Sequence, residues 1–413
     1  MNRLKVLISA YACEPEKGSE PGVGWNTVTH VAEHHQLWVL TRANNRPSIE
    51  LALKSNPLPT VTFVYYDLPK WSVWWKRGGS GIQVYYYLWQ IGIMPLARRL
   101  QQEIGFDLVH HVTFVRYWNP CFLALLPVPL LWGPVGGGES TPGDFHNGFS
   151  LRGRTMEAGR NMARWLGERD PFVRMTAAKS RLSLATTPQT AACLDRIGCK
   201  NYEVMSQCAL NLEEMNLLWS DRPVLAQGER VIFLSLGNLL HWKGVHLALS
   251  ALKQSGLRNV EFLIVGSGPE RGRLEELTQR FGLTGMVVFC GRLSRREALQ
   301  KIKSCHVLVH PSLHDSGSFV CLESMAAGKP VICLNHGGPS SIVTPETGIK
   351  IVPTDELQTI KDLAKAMVCL TKNNALRERM GQHARSRVIK EFTWERKAEQ
   401  FHQHYLAVTQ TSS

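Results

Sequence analysis

The stretch His310-Pro311-Ser312-Leu313-His314-Asp315-Ser316-Gly317-Ser318-Phe319-Val320-Cys321-Leu322-Glu323-Ser324-Met325-Ala326-Ala327-Gly328-Lys329-Pro330 decides how the chain is read. An apolar run, Val307 to Val309, stops at Pro311, a Ser/Asp/Gly cluster follows, and a helix-forming run starts near Phe319. That order spells strand, turn and helix. The first amides of a helix lack intrahelical acceptors and attract anions. Gly317 and Ser318 are placed to let a phosphate reach bare backbone N–H groups, with the carboxylates Asp315 and Glu323 on either side. An ordinary capped loop has the same local features.

Working outward, strand-like runs alternate with helical ones on both sides of this stretch. Val231–Leu236, Val260–Val265, Val287–Cys290 and Val331–Leu334 belong to the same series, separated by the helical runs Val245–Ser255, Arg271–Phe281 and Arg295–Ser304. A separate series, Leu4–Ala10, Gln36–Thr41, Val61–Tyr66, Leu108–His110 and Leu130–Trp132, fills the first half. Such alternation predicts doubly wound parallel sheets, whose ligands sit at the carboxyl ends of strands. The stretch Asn211 to Gln227, with Pro223 and little periodicity, divides the two series.

The loops after these strands are therefore the places to look for chemistry. In the second half they are Gly237-Asn238-Leu239-Leu240-His241-Trp242-Lys243-Gly244, Val265-Gly266-Ser267-Gly268-Pro269 and Gly291-Arg292-Leu293. Three glycine-marked strand ends together describe a nucleotide site better than any one alone. In the first half, Glu20-Pro21-Gly22-Val23-Gly24-Trp25 reads as a glycine-rich turn before a helix Asn26–His34. The adjacent His110 and His111 end a strand, where an imidazole suits a sugar hydroxyl or a phosphate. Trp132-Gly133-Pro134-Val135-Gly136-Gly137-Gly138 ends another.

Composition narrows the partners. A chain of 413 residues holds two or three domains, and its net charge of +13 calls for an anionic partner without specifying a fold. No zinc-finger spacing or aromatic RNA-binding motif is present, so a nucleic acid is not that partner. The ten scattered cysteines include no Cys-x-x-Cys pair and read as free thiols in a reducing compartment. Met1 to Cys13 has too short an apolar part for a signal peptide and reads as a first strand. The longest apolar stretch, Cys121 to Leu131, is broken by Pro127 and Pro129 and cannot span a bilayer.

Two segments suit an anionic membrane surface instead. Between Leu68 and Gln102 no acidic residue occurs, and Lys70, Lys76, Arg77, Arg98 and Arg99 surround Trp71, Trp74, Trp75, Tyr85, Tyr86, Tyr87 and Trp89. Aromatic packing in the first domain's core explains those rings equally well. Arg152 to Arg181 carries eight Lys/Arg against Glu157, Glu168 and Asp170.

Taken together, Gly237…Lys243-Gly244, Val265-Gly266-Ser267-Gly268-Pro269, Gly291-Arg292 and Asp315…Glu323, eight apart, resemble the motifs of retaining, nucleotide-sugar-dependent GT-B glycosyltransferases, in particular family 4 (glycosyl transferases group 1). The resemblance implies an α/β chain of two Rossmann-like doubly wound domains facing across a cleft. The acceptor-side domain would span 1–210, with 391–413 packing back on it as a C-terminal helix, and the donor domain 211–390. It implies that Lys243 neutralises the donor diphosphate and that Glu323 holds the ribose. Asp315, with the backbone of Gly317, Ser318 and Phe319, would meet the transferred sugar and its phosphate. Gly266 and Gly268 would belong to the donor site, and Arg292 and Leu293 would line the base pocket. Gly22 and Gly24 would face the diphosphate, and His110 or His111 the sugar or leaving group. Two positions depart from the family pattern: Asn238 stands where the lysine's usual Arg partner would be, and Asp315 replaces the commoner Glu.

The expectation is therefore a cytoplasmic hexosyltransferase, peripheral at the inner face of the membrane, that moves sugar from a nucleoside diphosphate sugar to a glycan or lipid-linked acceptor. No metal and no cofactor besides that co-substrate is expected, because a cationic Lys and a helix N-terminus can meet the leaving group's charge. A silent nucleotide-sugar-binding or scaffold protein of the same fold is the alternative. A Rossmann dehydrogenase is disfavoured, since neither Gly22/Gly24 nor Gly266/Gly268 has a third glycine in place.

Overall fold

The computed structural model describes residues 3–74, 81–219 and 230–410; Trp75, Lys76 and Arg77 of the aromatic segment, and Pro223 of the dividing stretch, lie outside them. The chain forms two compact units. The first comprises 1–138, 161–207 and 394–413, and the second 139–160 and 208–393.

In the first unit seven parallel strands, β1 (Lys5–Ser9), β2 (Gln36–Thr41), β3 (Val61–Tyr65), β4 (Leu108–His111), β5 (Leu130–Val135), β6 (Ser180–Ala185) and β7 (Tyr202–Val204), run in the order β3-β2-β1-β4-β5-β6-β7. The helix Trp394–Gln410 returns to this unit and packs on the helix Ser19–Val31. The second unit has six, β8 (Val231–Leu236), β9 (Val260–Val265), β10 (Val287–Gly291), β11 (Val307–His310), β12 (Val331–Leu334) and β13 (Gly348–Ile351), in the order β10-β9-β8-β11-β12-β13. Both are doubly wound sheets, reversing direction between β1 and β4 and between β8 and β11. Sequence reading did not single out β6, β7 and β13. Two of these are edge strands, and all three carry polar residues that interrupt the apolar run.

Two expectations change. Glu20 to Trp25 is not a turn: the helix starts at Ser19, and Pro21 fits because a first-turn residue needs no N–H acceptor. Gly22 and Gly24 are buried in it, and a methyl on either would lie 2.1 Å from a carbonyl oxygen, of Lys17 and of Ala12 respectively. Close packing of the helix on its own entry loop thus accounts for both. The excursion 139–160, expected in the first domain, belongs to the second unit because Phe145 and Phe149 are buried in a core with Phe233, Leu249 and Phe262.

The aromatic segment divides between two roles. Tyr85, Tyr86 and Trp89 are core residues of the first unit, so they are unavailable to any surface. Trp71 and Trp74, in contrast, are about four-fifths exposed (80% and 81%).

Candidate functional site

The second unit brings its key side chains together at the reversal between β8 and β11. The loop after β8 ends in a short 3-10 turn, His241–Lys243, followed by Gly244 at φ +68°. A methyl on Gly244 would sit 1.9 Å from the Pro311 carbonyl oxygen, so only glycine lets this loop press against the loop after β11. The Leu313 amide donates to the Trp242 carbonyl (2.7 Å) and fixes the register of the two loops.

That register carries Lys243 to Asp315: Nζ donates to Oδ2 at 2.6 Å, with 23% and 16% of the two side chains exposed. Nε2 of His310 approaches the same oxygen at 3.1 Å. Burial alone would push the Asp315 carboxyl up, but the Lys243 ammonium and the His310 ring hold it well below the usual carboxylate range. Oδ1 accepts from none of the described residues.

Beyond Asp315 the chain enters the helix Phe319–Ala326 through Ser318, which adopts φ +87°, ψ 48°. A left-handed conformation in a residue other than glycine costs on the order of 1–2 kcal/mol. The Ser318 hydroxyl is buried with no hydrogen-bond partner among the described residues, and no side chain caps the helix. A strained residue, an unsatisfied hydroxyl and open helix amides thus meet at one point, an arrangement suited to an anion.

Further residues brace this loop, and the sequence reading gave no role to Gly337, Gly338, Glu139 and Glu157 among them. Gly337, at φ +61°, leaves room for the Asp315 carbonyl, which accepts from the Gly338 amide at 2.6 Å. Glu139 accepts from the Ser316 hydroxyl at 2.5 Å. Buried Glu157 accepts at one oxygen from Nε2 of both His241 (3.1 Å) and His314 (2.9 Å), and those bonds hold it below the carboxylate range despite burial. Trp242 stacks on His314 with ring centroids 4.8 Å apart. Only the strand-end glycine pair Gly337-Gly338 left a local signal. Glu139 and Glu157 come from a segment that chain order assigns to the first half.

Glu323 lies on the helix Phe319–Ala326 with its side chain 4% exposed, and Arg295 donates to its Oε1 at 2.5 Å. Burial pushes its carboxyl up while Arg295 pulls it back. The loops after β8, β9 and β10 are stitched by backbone bonds from Gly237 N to Val265 O (3.0 Å) and from Gly266 N to Gly291 O (2.8 Å). Methyls on Gly266 and Gly268 would strike the carbonyls of Gly237 and Leu239, so both glycines are explained by this stitching. Asn238 and Arg292 are exposed, and Leu293 packs against the second unit's core. Among the described residues no group of three His, Cys, Asp or Glu side chains converges as a metal site requires.

In the first unit the two strand-end histidines are enclosed by protein. His110 is fully buried, with Nε2 2.7 Å from the Gly133 carbonyl and Nδ1 2.6 Å from the Tyr405 hydroxyl. Since a carbonyl can only accept, the proton is on Nε2, and neither nitrogen is left for a ligand. His111 is 1% exposed and pairs through Nε2 with the Tyr86 hydroxyl (2.8 Å). Neighbouring strand residues point to opposite faces, and in a doubly wound sheet both faces are covered.

Residues 219–387 match the family described as "Glycosyl transferases group 1". An uncharacterized glycosyltransferase of Methanocaldococcus jannaschii is 29% identical over 189 residues, 44% of this chain and 47% of that one. The lipopolysaccharide core biosynthesis glycosyltransferase LpsD of Rhizobium meliloti is 33% identical over 150 residues, 36% and 41% of the two chains. The match thus spans less than half the length of either relative. Among solved structures, Anabaena HepE, crystallised with UDP and glucose, superposes with a TM-score of 0.61 at 16% identity over 98% of this chain and 100% of that one. This likeness bears on the fold, which is that of GT-B glycosyltransferases.

Proposed function

We propose, from the group 1 match in the second unit, that the chain moves a sugar from a nucleoside diphosphate sugar to a glycan or lipid-linked acceptor with retention of configuration. The observation that carries this reading is the Lys243–Asp315 pair beside the open, strained N-terminus of the helix Phe319–Ala326. Lys243 and the helix amides take the charge of the departing diphosphate. Asp315 holds the sugar through its open oxygen, and Glu323 holds the ribose. In same-face transfer the bond from C1 to the phosphate oxygen breaks and the bond from C1 to the acceptor oxygen forms. The acceptor's proton leaves on the diphosphate.

The test is a panel of nucleotide sugars offered with candidate glycan acceptors, with nucleoside diphosphate release and the product's anomeric configuration read by NMR. Retention supports the reading, and inversion removes that part of it. No release from any donor favours the silent binder, to which the uncharged, exposed Asn238 is the pointer. Glu323→Ala should weaken donor binding by about 1–3 kcal/mol, as expected when a buried hydroxyl pair loses its acceptor. An unchanged dissociation constant would remove Glu323 from the ribose site.

A lipid-linked acceptor also fits an exposed face of the first unit. Val84, Leu88 and Ile91 form an outward apolar stripe on the helix Ile82–Gly92. Exposed Phe172 lies beside that helix, where Tyr87 donates to Asp170 (2.9 Å) and Phe122 meets Phe172 at 5.0 Å. Exposed Arg169 and Arg174 are nearby in sequence, and no described helix is long and apolar enough to cross a membrane. Such a face suits the surface of an anionic bilayer. The double variant Leu88→Glu, Ile91→Glu should lose most flotation with phosphatidylglycerol vesicles; undiminished flotation argues against this face.

A further inference from the structure

The Glu323 carboxylate is held in an unusual way. Its side chain is 4% exposed, yet only one oxygen is engaged: Oε1 accepts from Nη1 of Arg295 at 2.5 Å. Oε2 accepts from none of the described residues and is not among the fully enclosed orphan atoms, so it opens onto space a ligand can reach. Arg295 is the first residue of the helix Arg295–Ser304, whose start is fixed by the reciprocal cap between Ser294 and Glu297. Its other terminal nitrogen reaches Glu214 on the helix Leu212–Trp219, at 3.3 Å. The guanidinium therefore bridges a buried carboxylate and a more exposed one, with its own side chain 49% exposed.

We propose that Arg295 is a positioning residue for the nucleotide: it clamps Oε1 of Glu323, keeps the carboxylate ionised in its buried place, and leaves Oε2 turned to the ribose hydroxyls. This rests on the ribose assignment of Glu323 given above. A buried carboxylate without a cation neutralises itself by taking up a proton, and a carboxylic acid is a poorer acceptor for two hydroxyls. Two charged groups act on Glu323. Arg295 lowers its carboxyl, whereas Glu214 and burial raise it, so the clamp alone opposes protonation. The bond to Glu214 in turn holds the guanidinium in place from its other side.

The test compares wild type, R295Q, R295K and E323Q, and measures binding of a nucleoside diphosphate and its 2′-deoxy counterpart by calorimetry across pH 5.5–9. The ratio of the two affinities cancels titration of the phosphates. Wild type should prefer the ribonucleotide. In R295Q the pH below which that preference fades should move up by a unit or more, with up to tenfold loss per pH unit on its acid side. R295K should move the break back toward wild type, because an ammonium supplies charge without the fork. E323Q should show little preference at any pH. A preference in R295Q that follows the wild-type pH profile overturns the proposal. Should wild type bind no nucleoside diphosphate, the nucleotide reading fails on its own. The clamp is then judged from the 13C resonance of the Glu323 carboxyl, whose titration must move up in R295Q; an unmoved resonance overturns it.

Discussion

Lys243→Ala should lower turnover at saturating nucleotide sugar by about 10²–10³-fold, the range found when one preorganised donor is removed from a developing negative charge. The ammonium is three-quarters enclosed and 2.6 Å from Asp315, so it acts at low local dielectric where its charge is poorly screened. Asn238 supplies no second cation beside it. The effect should fall mainly on kcat, because the diphosphate carries more charge as it leaves than while it is bound. Steady-state rates with the donor above its KM, together with a thermal melt showing an intact fold, provide the check. A kcat within threefold of wild type would show that the leaving group is stabilised elsewhere.

The second large effect is loss of stability in mild acid. His35, His110 and His111 in the first unit are 0–1% exposed, and burial pushes their pKa values down to about 4, about 3 and about 3. Burial keeps each ring neutral, against the Gly133 carbonyl, which by itself favours a charged His110. The Leu4 amide donates to Nδ1 of His35 (3.3 Å), while His110 and His111 are bonded to Gly133 and Tyr405 and to Tyr86. The unfolded chain protonates these rings near pH 6.5, and the folded chain does not until about pH 4 or below. Their contribution is therefore complete above pH 6.5 and is lost as pH falls from 6.5 to about 4 for His35 and to about 3 for His110 and His111. Three protons at about 1.4 kcal/mol each per pH unit compare with a whole domain stability of roughly 5–15 kcal/mol. Denaturant midpoints should drop steeply between pH 6.5 and 5, and equal midpoints at those two values would contradict the assignment. Asp315 and Glu157, held below the carboxylate range, add a second loss at lower pH as they protonate.

The pair His110 and His111 also shows how much of a residue's surroundings comes from distant parts of the chain. Both end a strand, where ligands gather, and imidazole is a fitting chemistry. The deciding fact is the Tyr405 hydroxyl against His110, brought from 295 residues away by the helix Trp394–Gln410. Nothing local to residues 108–114 announces that contact. Arg295 is similar: the cap at Ser294 is legible, but the meeting of its side chain with Glu323 depends on two helices packing side by side. Gly22 and Gly24 read as ligand-facing because glycine signals close approach, and close approach to the chain's own backbone leaves the same sign.

What the sequence by itself determined is the set of repeated local events: apolar runs ending in Gly, Pro, Ser or Asp, then helix-forming runs, and within them Lys243, Asp315 and Glu323 at spacings matching a known pattern. These are legible because strand, turn and helix preferences act over a few residues. Only the tertiary structure decided which atoms those side chains meet: Lys243 on Asp315, Arg295 on Glu323, and Glu157 under His241 and His314. It also assigned 139–160 to the second unit through Phe145 and Phe149. Such pairings depend on the order of strands in a sheet and on the packing of helices distant in sequence, and composition and spacing carry no term for either.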